Sequence, residues 1–381
     1  MKKVFIFLFL LSFFSPCLVY ANEPDIVSGA KSAVMIDASS GEVLYNKNAN
    51  EKRSVASLTK MMGLVLIFEK IDNGSLKTKE ILTVSKNAKE MGGTQIWLNE
   101  GEKISVDDLI KGITMASAND AMVLMAERVS GTEEAFVKEM NAKARTLGLK
   151  NTNFVNCTGF DEEGGYSSAY DMALIAKELL KYEKILDYTS KYEDYIREGA
   201  DNKTWVVNTN KLVRFYKGAD GLKTGYTDEA GSTLAVTAKR DGLRLIAITL
   251  GYSNTNDRNS ETMALLDYGF NQYESKLLFS KGKKVKKIKL NKAEEDFTDL
   301  VLADDVILTL KRGSESNYNY FVRVNDFKIP FKKGDVLGKF VLKNDGRVVS
   351  ETDLVSSKNV LKASIFKQYL RVILDSLTGI L

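Results

Sequence analysis

The chain has 381 residues and no histidine. A serine or cysteine nucleophile therefore has to be activated without imidazole, and no metal site can use His ligands. What remains for nucleophilic chemistry is a serine served by a lysine or a carboxylate. Ser-x-x-Lys on a helix sets the amine one turn beyond the hydroxyl, on the same face. The pattern occurs at Ser28, Ser57, Ser280 and Ser364. Only Ser57-Leu58-Thr59-Lys60 opens a strongly apolar helix, predicted over 58–70. There the serine's own N–H and the positive helix end would face a developing oxyanion.

Two further motifs could complete such a site. Ser117-Ala118-Asn119 falls between helices predicted over 106–115 and 121–129. Its hydroxyl can relay a proton, and its amide can hold a substrate carbonyl or the lysine. Alternatively, Asn119 or Asp120 caps the second helix. Ser-x-Asn recurs at Ser85 and Ser357, so it carries little alone. Lys223-Thr224-Gly225 occurs once, on a strand just ahead of a predicted hairpin over 232–250. Its lysine adds positive charge, its threonine can bond a carboxylate, and its glycine lets a substrate backbone approach closely.

The elements that must position these residues mix helix and strand. Short strands are predicted over 33–37 and 42–45, and a further helix over 168–181. The hairpin turns at Arg240-Asp241-Gly242, a strong Asp-Gly signal. Near Lys276 the composition shifts to a lysine-rich stretch from Lys281 to Lys292, followed by short alternating runs and a turn at Asn344-Asp345-Gly346. That is the pattern of a small all-β domain. The lysines read best as guards of an exposed edge strand, with anionic lipid or wall polymer as the alternative partner.

Both ends differ from the middle. Residues 1–21 read as a secretory signal: Lys2 and Lys3, an apolar run, then Val19-Tyr20-Ala21 as a cleavage site. An uncleaved anchor is the alternative, and Pro16 shortens the run for spanning. Cys17 leaves with the signal, and Cys157 is expected as a small buried hydrophobe. Residues 361–381 form an amphipathic pattern, with Lys367, Arg371 and Asp375 on a narrow polar arc and a wide apolar face. It suits either a helix lying in a membrane interface or one docked on the protein's own core. A net charge of +4 gives no nucleic-acid footprint.

The three motifs, in this order and 60 and then 106 residues apart, resemble those of the low-molecular-mass penicillin-binding proteins that act as D-alanyl-D-alanine carboxypeptidases. The likeness runs from about Ala33 to Phe270 and includes Met91-Gly92-Gly93-Thr94-Gln95, residues 152–160, Tyr166-Ser167-Ser168-Ala169 with Asp171, and residues 223–227. Ala118 departs from the glycine common in relatives. The resemblance implies an α/β (α+β) penicillin-binding/β-lactamase-like transpeptidase domain over 22–275. A β-rich domain over 276–360 and an amphipathic membrane-anchoring helix over 361–381 would follow. It also implies an exported enzyme on the outer face of the cytoplasmic membrane, acting without a cofactor or metal on peptidoglycan stem peptides that end in D-Ala-D-Ala, and acylated by β-lactam antibiotics. In that scheme Ser57 attacks the peptide carbonyl and Lys60, with its pKa lowered by burial and by Lys223, takes the proton. The N–H groups of Ser57 and Tyr226 hold the oxyanion, and Ser117 passes the proton to the leaving amine. Lys223 and Thr224 hold the terminal carboxylate; Arg258 either helps them or, the better fit for a lone arginine, makes a surface ion pair. Competing readings are a β-lactamase, whose deacylating loop would have to be Glu183–Asp187, and an inactive wall-binding scaffold.

Overall fold

The computed structural model describes residues 24–315 and 317–378. The predicted leader, 1–21, lies outside the described residues, as do the last three positions of the tail.

The first sheet takes its strands from both ends of the catalytic region. They are β1 (Ser32–Asp37) and β2 (Val43–Lys47), then β3 (Ala219–Thr227), β4 (Gly231–Arg240) and β5 (Leu243–Tyr252). The order is β2-β1-β5-β4-β3 and every neighbouring pair is antiparallel. The β4–β5 turn uses Asp241 and Gly242, both at positive φ, the geometry that a two-residue hairpin loop needs. All six β1 residues are buried, because both faces of the sheet are covered. Met35, Leu245 and Ala247 pack with Leu265, Leu266 and Phe270 of a helix over Thr255–Gln272. Val34, Ile36, Ile246 and Ile248 pack against the larger helical layer. At the centre of that layer lies α1 (Lys60–Asp72), buried continuously from Lys60 to Phe68. A helix apolar all round belongs inside a core, and this one carries the Ser57 motif there.

Around α1 stand α2 (Val106–Lys111), α3 (Asn119–Ser130) and α4 (Ala169–Leu179). Ser105 caps α2 through Asp108 N–H, and Ser168 caps α4 through Asp171 N–H. The predicted helix over 106–115 changes character at Gly112, where the turn widens to i→i+5 bonding through Ala116.

Beyond Gln272 the chain is all-β up to the tail. One strand, Tyr273–Phe279, pairs with Val306–Lys311. Five others form a sheet in which Lys284–Lys289, the lysine-rich strand, lies at an edge. The tail helix, Ile365–Thr378, docks by its polar side. Lys367 Nζ donates to the Glu294 backbone carbonyl (2.5 Å) and carboxylate (3.1 Å). Arg371 pairs with Asp296 and donates to the carbonyls of Ala293 and Leu290. Ile365, Phe366 and Tyr369 are left exposed. The helix is thus not docked on the core by its apolar face.

Candidate active site

Ser57 lies in a single 3-10 turn, Ala56–Thr59, that leads into α1. Ala56 is held at φ 48, a left-handed conformation rare for a residue with a side chain. Lys60 Nζ lies 2.8 Å from Ser57 Oγ and 2.7 Å from the carbonyl of Thr158. That carbonyl is fixed by an Asn turn, since Asn156 Oδ1 accepts from the N–H groups of Thr158 and Gly159. The Lys60 side chain is completely buried. Burial drives its pKa from 10.5 down to about 7, against the opposing pull of Cys157 and Asp120. A neutral amine has two N–H groups and one lone pair. With one N–H on Thr158, the lone pair can accept the Ser57 hydroxyl proton.

Ser117 ends the widened turn at φ 66, buried and left-handed. Such widened turns cluster at functional sites. Asn119 opens α3 without capping it: the preceding Ala118 is the cap position and makes no side-chain bond. Asn119 instead donates through Nδ2 to the Gly92 carbonyl (2.9 Å) and through its N–H to the Thr94 carbonyl (2.7 Å). Asp120 accepts from the N–H groups of Ile96 and Leu98. The 92–98 segment is therefore laced to the second motif.

The third motif lies on β3 with Lys223, Thr224 and Gly225 all buried and Tyr226 exposed. Thr224 Oγ1 is bonded to Thr209 Oγ1 at 2.7 Å, and Thr209 N–H donates to the Met115 carbonyl, tying β3 to the turn that carries Ser117. A Cβ on Gly225 would lie 3.0 Å from Ser57 N and 2.6 Å from Thr233 Oγ1. Only glycine lets the strand run this close to the nucleophile's N–H. Burial, Lys60 and Arg258 together hold the Lys223 pKa well below the usual lysine value. Lys60 and Lys223 both lie below the usual lysine range, and burial is the largest cause for each.

Arg258 departs from expectation. It is buried, makes no ion pair among the described residues, and donates to Ser232 Oγ (3.0 Å) and the Thr233 carbonyl (3.2 Å). Ser232 and Thr233 pair across the ladder with Tyr226 and Gly225. Burial brings its pKa down to about 10. Sequence reasoning also missed Thr158 and Thr209, which act through backbone and hydroxyl contacts that no spacing announces. Cys157 is fully buried, and burial with Glu133 raises its thiol pKa, so it is an inert packing group.

Glu183 and Asp187 line a groove with Asp37, Lys177, Ser275 and Ile307, and no residue of the three motifs shares it. They do not supply a deacylating carboxylate to Ser57. Among the described residues no cluster of Cys, Asp or Glu is arranged to hold a metal ion. The arrangement is chemically able to support acyl transfer: a serine hydroxyl, a buried amine of lowered pKa beside it, and the lysine and threonine of the third motif on β3.

A profile of the D-alanyl-D-alanine carboxypeptidase family (peptidase S11) matches residues 19–254, and one for the C-terminal domain of penicillin-binding protein 5 matches 273–362. The chain is 46% identical over 341 residues to the D-alanyl-D-alanine carboxypeptidase DacF of Bacillus subtilis, covering 89% of this chain and 88% of that one. Penicillin-binding protein 5 of Haemophilus influenzae superposes with a TM-score of 0.69 at 28% identity, covering 89% of this chain and 99% of the other. Penicillin-binding protein D2 of Listeria monocytogenes, in its ampicillin-bound form, superposes with a TM-score of 0.58 at 34% identity over 64% of this chain and 98% of the other.

Proposed function

The chain belongs to the D-alanyl-D-alanine carboxypeptidase family, and from that membership we propose how its own residues carry out the reaction of a serine-type D-Ala-D-Ala carboxypeptidase. Neutral Lys60 accepts the Ser57 hydroxyl proton, and Oγ attacks the carbonyl carbon between the two terminal D-alanines of a peptidoglycan stem peptide. The oxyanion is held by the N–H groups of Ser57 and Tyr226. Collapse breaks the C–N bond, and the proton moves from Lys60 through Ser117 to the leaving amine. Lys223 and Thr224, with Arg258 adding positive charge, hold the terminal carboxylate. Asn119 and the strand at Gly225 orient the peptide. A water, deprotonated by Lys60, then releases the shortened peptide from the Ser57 ester. β-Lactams acylate the same serine.

The observation that carries this assignment is the 2.8 Å contact between Ser57 Oγ and a buried Lys60. Ser57→Ala should abolish both hydrolysis of a D-Ala-D-Ala peptide and covalent labelling by penicillin. Stoichiometric labelling of that variant at another serine would overturn the assignment.

The finer placement is also part of the proposal. Residues 1–21 direct export and are removed, the catalytic domain spans 22–275, and the β domain 276–360. The tail, 361–381, attaches the enzyme to the outer face of the cytoplasmic membrane. The outward apolar side of the tail helix supports attachment from one face, and among the described residues no helix is long and apolar enough to cross a membrane.

A further inference from the structure

Beside the base of the tail helix lies a groove of about 510 Å³, lined by Lys289, Leu290, Asn291, Lys292, Phe327, Lys328, Ile329 and Lys362. Its lining holds four lysines and one amide, and no carboxylate. Lys292, Lys328 and Lys362 are exposed and make no ion pair among the described residues. Along the chain from Lys292, Glu294 and Asp296 hold Lys367 and Arg371, and Glu295 pairs with Lys358; Asp326, two residues before Lys328, is exposed and does not line the groove.

The groove is built, not merely crowded. Ala363 N–H donates to the Lys292 carbonyl and Glu294 N–H to the Leu361 carbonyl, so the backbones bearing Lys292 and Lys362 lie side by side. Phe327 is braced edge-on against Phe331 at 5.6 Å, and Phe331 bridges Val360. The floor is apolar, through Leu290, Phe327 and Ile329. Arg371 of the tail helix donates to the Leu290 carbonyl, which makes the groove continuous with the tail.

We propose that this groove binds the phosphate headgroup of an anionic phospholipid, Lys292, Lys328 and Lys362 gripping the phosphate while Phe327 and Ile329 meet the glycerol and first acyl carbons. Charge complementarity names an anion, and continuity with an outward apolar helix names a lipid ahead of a soluble phosphate polymer. Lys367 and Arg371 contribute little to lipid attraction because they are engaged with the β domain; the charge selectivity comes from the groove. The inference rests on the membrane-attachment reading above, which assigns no lipid class and no site for one.

The test is co-sedimentation of the full chain, and of a chain lacking 365–381, with phosphatidylglycerol and with phosphatidylcholine vesicles. Each lysine near an anionic surface is worth roughly a fivefold gain, so three should favour phosphatidylglycerol on the order of a hundredfold. Lys292→Gln/Lys328→Gln/Lys362→Gln should erase that preference, leave binding to phosphatidylcholine unchanged, and leave hydrolysis of a soluble peptide unchanged as the check on folding. A preference that survives in the triple variant overturns the proposal. So does a preference abolished by an equal concentration of phosphate supplied as soluble poly(glycerol phosphate) or as inorganic phosphate, since the groove would then serve a wall polymer or a free anion. If the full and shortened chains bind phosphatidylcholine equally, the tail reading fails, while the lysine dependence with phosphatidylglycerol still decides the groove.

Discussion

A buried amine with a depressed pKa is both a catalytic asset and a cost to folding. In the unfolded chain Lys60 has its ordinary value near 10.4; in the fold it lies at about 7. The unfolded state therefore binds more protons between these values, so this residue's contribution to stability rises with pH across that window. Below about pH 7 its full destabilising effect is present. In the proposed mechanism the same shift sets the rate, because only a neutral amine can accept the Ser57 proton. The acylation rate by a penicillin should rise about tenfold per pH unit below about pH 7 and flatten above it. Lys60→Arg should abolish the profile as well as the rate. Arginine stays protonated past ~12, and the Lys60 amine is enclosed between Ser57 Oγ and the Thr158 carbonyl. Stopped-flow acylation decides this: a variant within about tenfold of wild type would remove lysine from the role of base.

At the scale of elements, the nucleophile's position depends on a loop remote in sequence. Gly159, at φ +85, places its α-carbon so that a Cβ would sit 2.0 Å from the Ala56 carbonyl oxygen. Gly159→Ala must push the 3-10 turn or the 156–159 loop aside, and these carry Ser57 and the Lys60 acceptor at Thr158. Acylation should fall at least a hundredfold, with a smaller loss of thermal stability, of about 1–3 kcal/mol. Unchanged penicillin labelling kinetics would show that the turn tolerates the shift. Gly159 falls within the 152–160 stretch of family likeness, but its reason is visible only in three dimensions.

The same contrast runs through the rest of the fold. The Asp241-Gly242 and Asp345-Gly346 turns and the apolar α1 were legible because their causes are local. The helices Glu133–Thr146 and Thr255–Gln272 were not anticipated, although Thr132 and Asn254 cap them with side-chain oxygens on Ala135 and Asp257 N–H. Thr255–Gln272 lacks a clear apolar period, whereas in Glu133–Thr146 Phe136, Met140 and Ala144 recur every four residues on the buried face and could have been read as a helix. In the site, motif spacing singled out the Ser57, Ser117 and Lys223 clusters, and the structure sets Lys60 against Ser57, while Arg258, read as more fitting for a surface ion pair, is buried. A single arginine 26 residues beyond Ser232 carries no local sign that it will fold back beneath β4.

For the whole molecule, the division of labour is spatial. The side chains proposed for catalysis all precede Asn259, whereas among the described residues the tail helix makes its side-chain bonds to the β domain with the segment from Leu290 to Asp296. Deletion should begin at Ile365, not at Leu361, because Leu361 and Ala363 are hydrogen-bonded into the β domain and Lys362 lines its groove. Removing 365–381 should leave the kinetics of soluble-peptide hydrolysis within about twofold and release the protein from membranes. Exposed Ile365, Phe366, Tyr369, Leu370 and Ile373 each offer roughly 1–2 kcal/mol on burial in lipid, enough together for peripheral attachment. Salt near 1 M, where the screening length falls to ~3 Å, should remove the groove's share of binding and leave the apolar share, so release should be partial with salt and complete with detergent. Fractionation of cells expressing the full and shortened chains, with the N-terminus of each sequenced to verify removal of the leader at Ala21, measures this directly. A shortened chain that stays with the membrane through a salt wash, its leader gone, would place the attachment elsewhere than the tail.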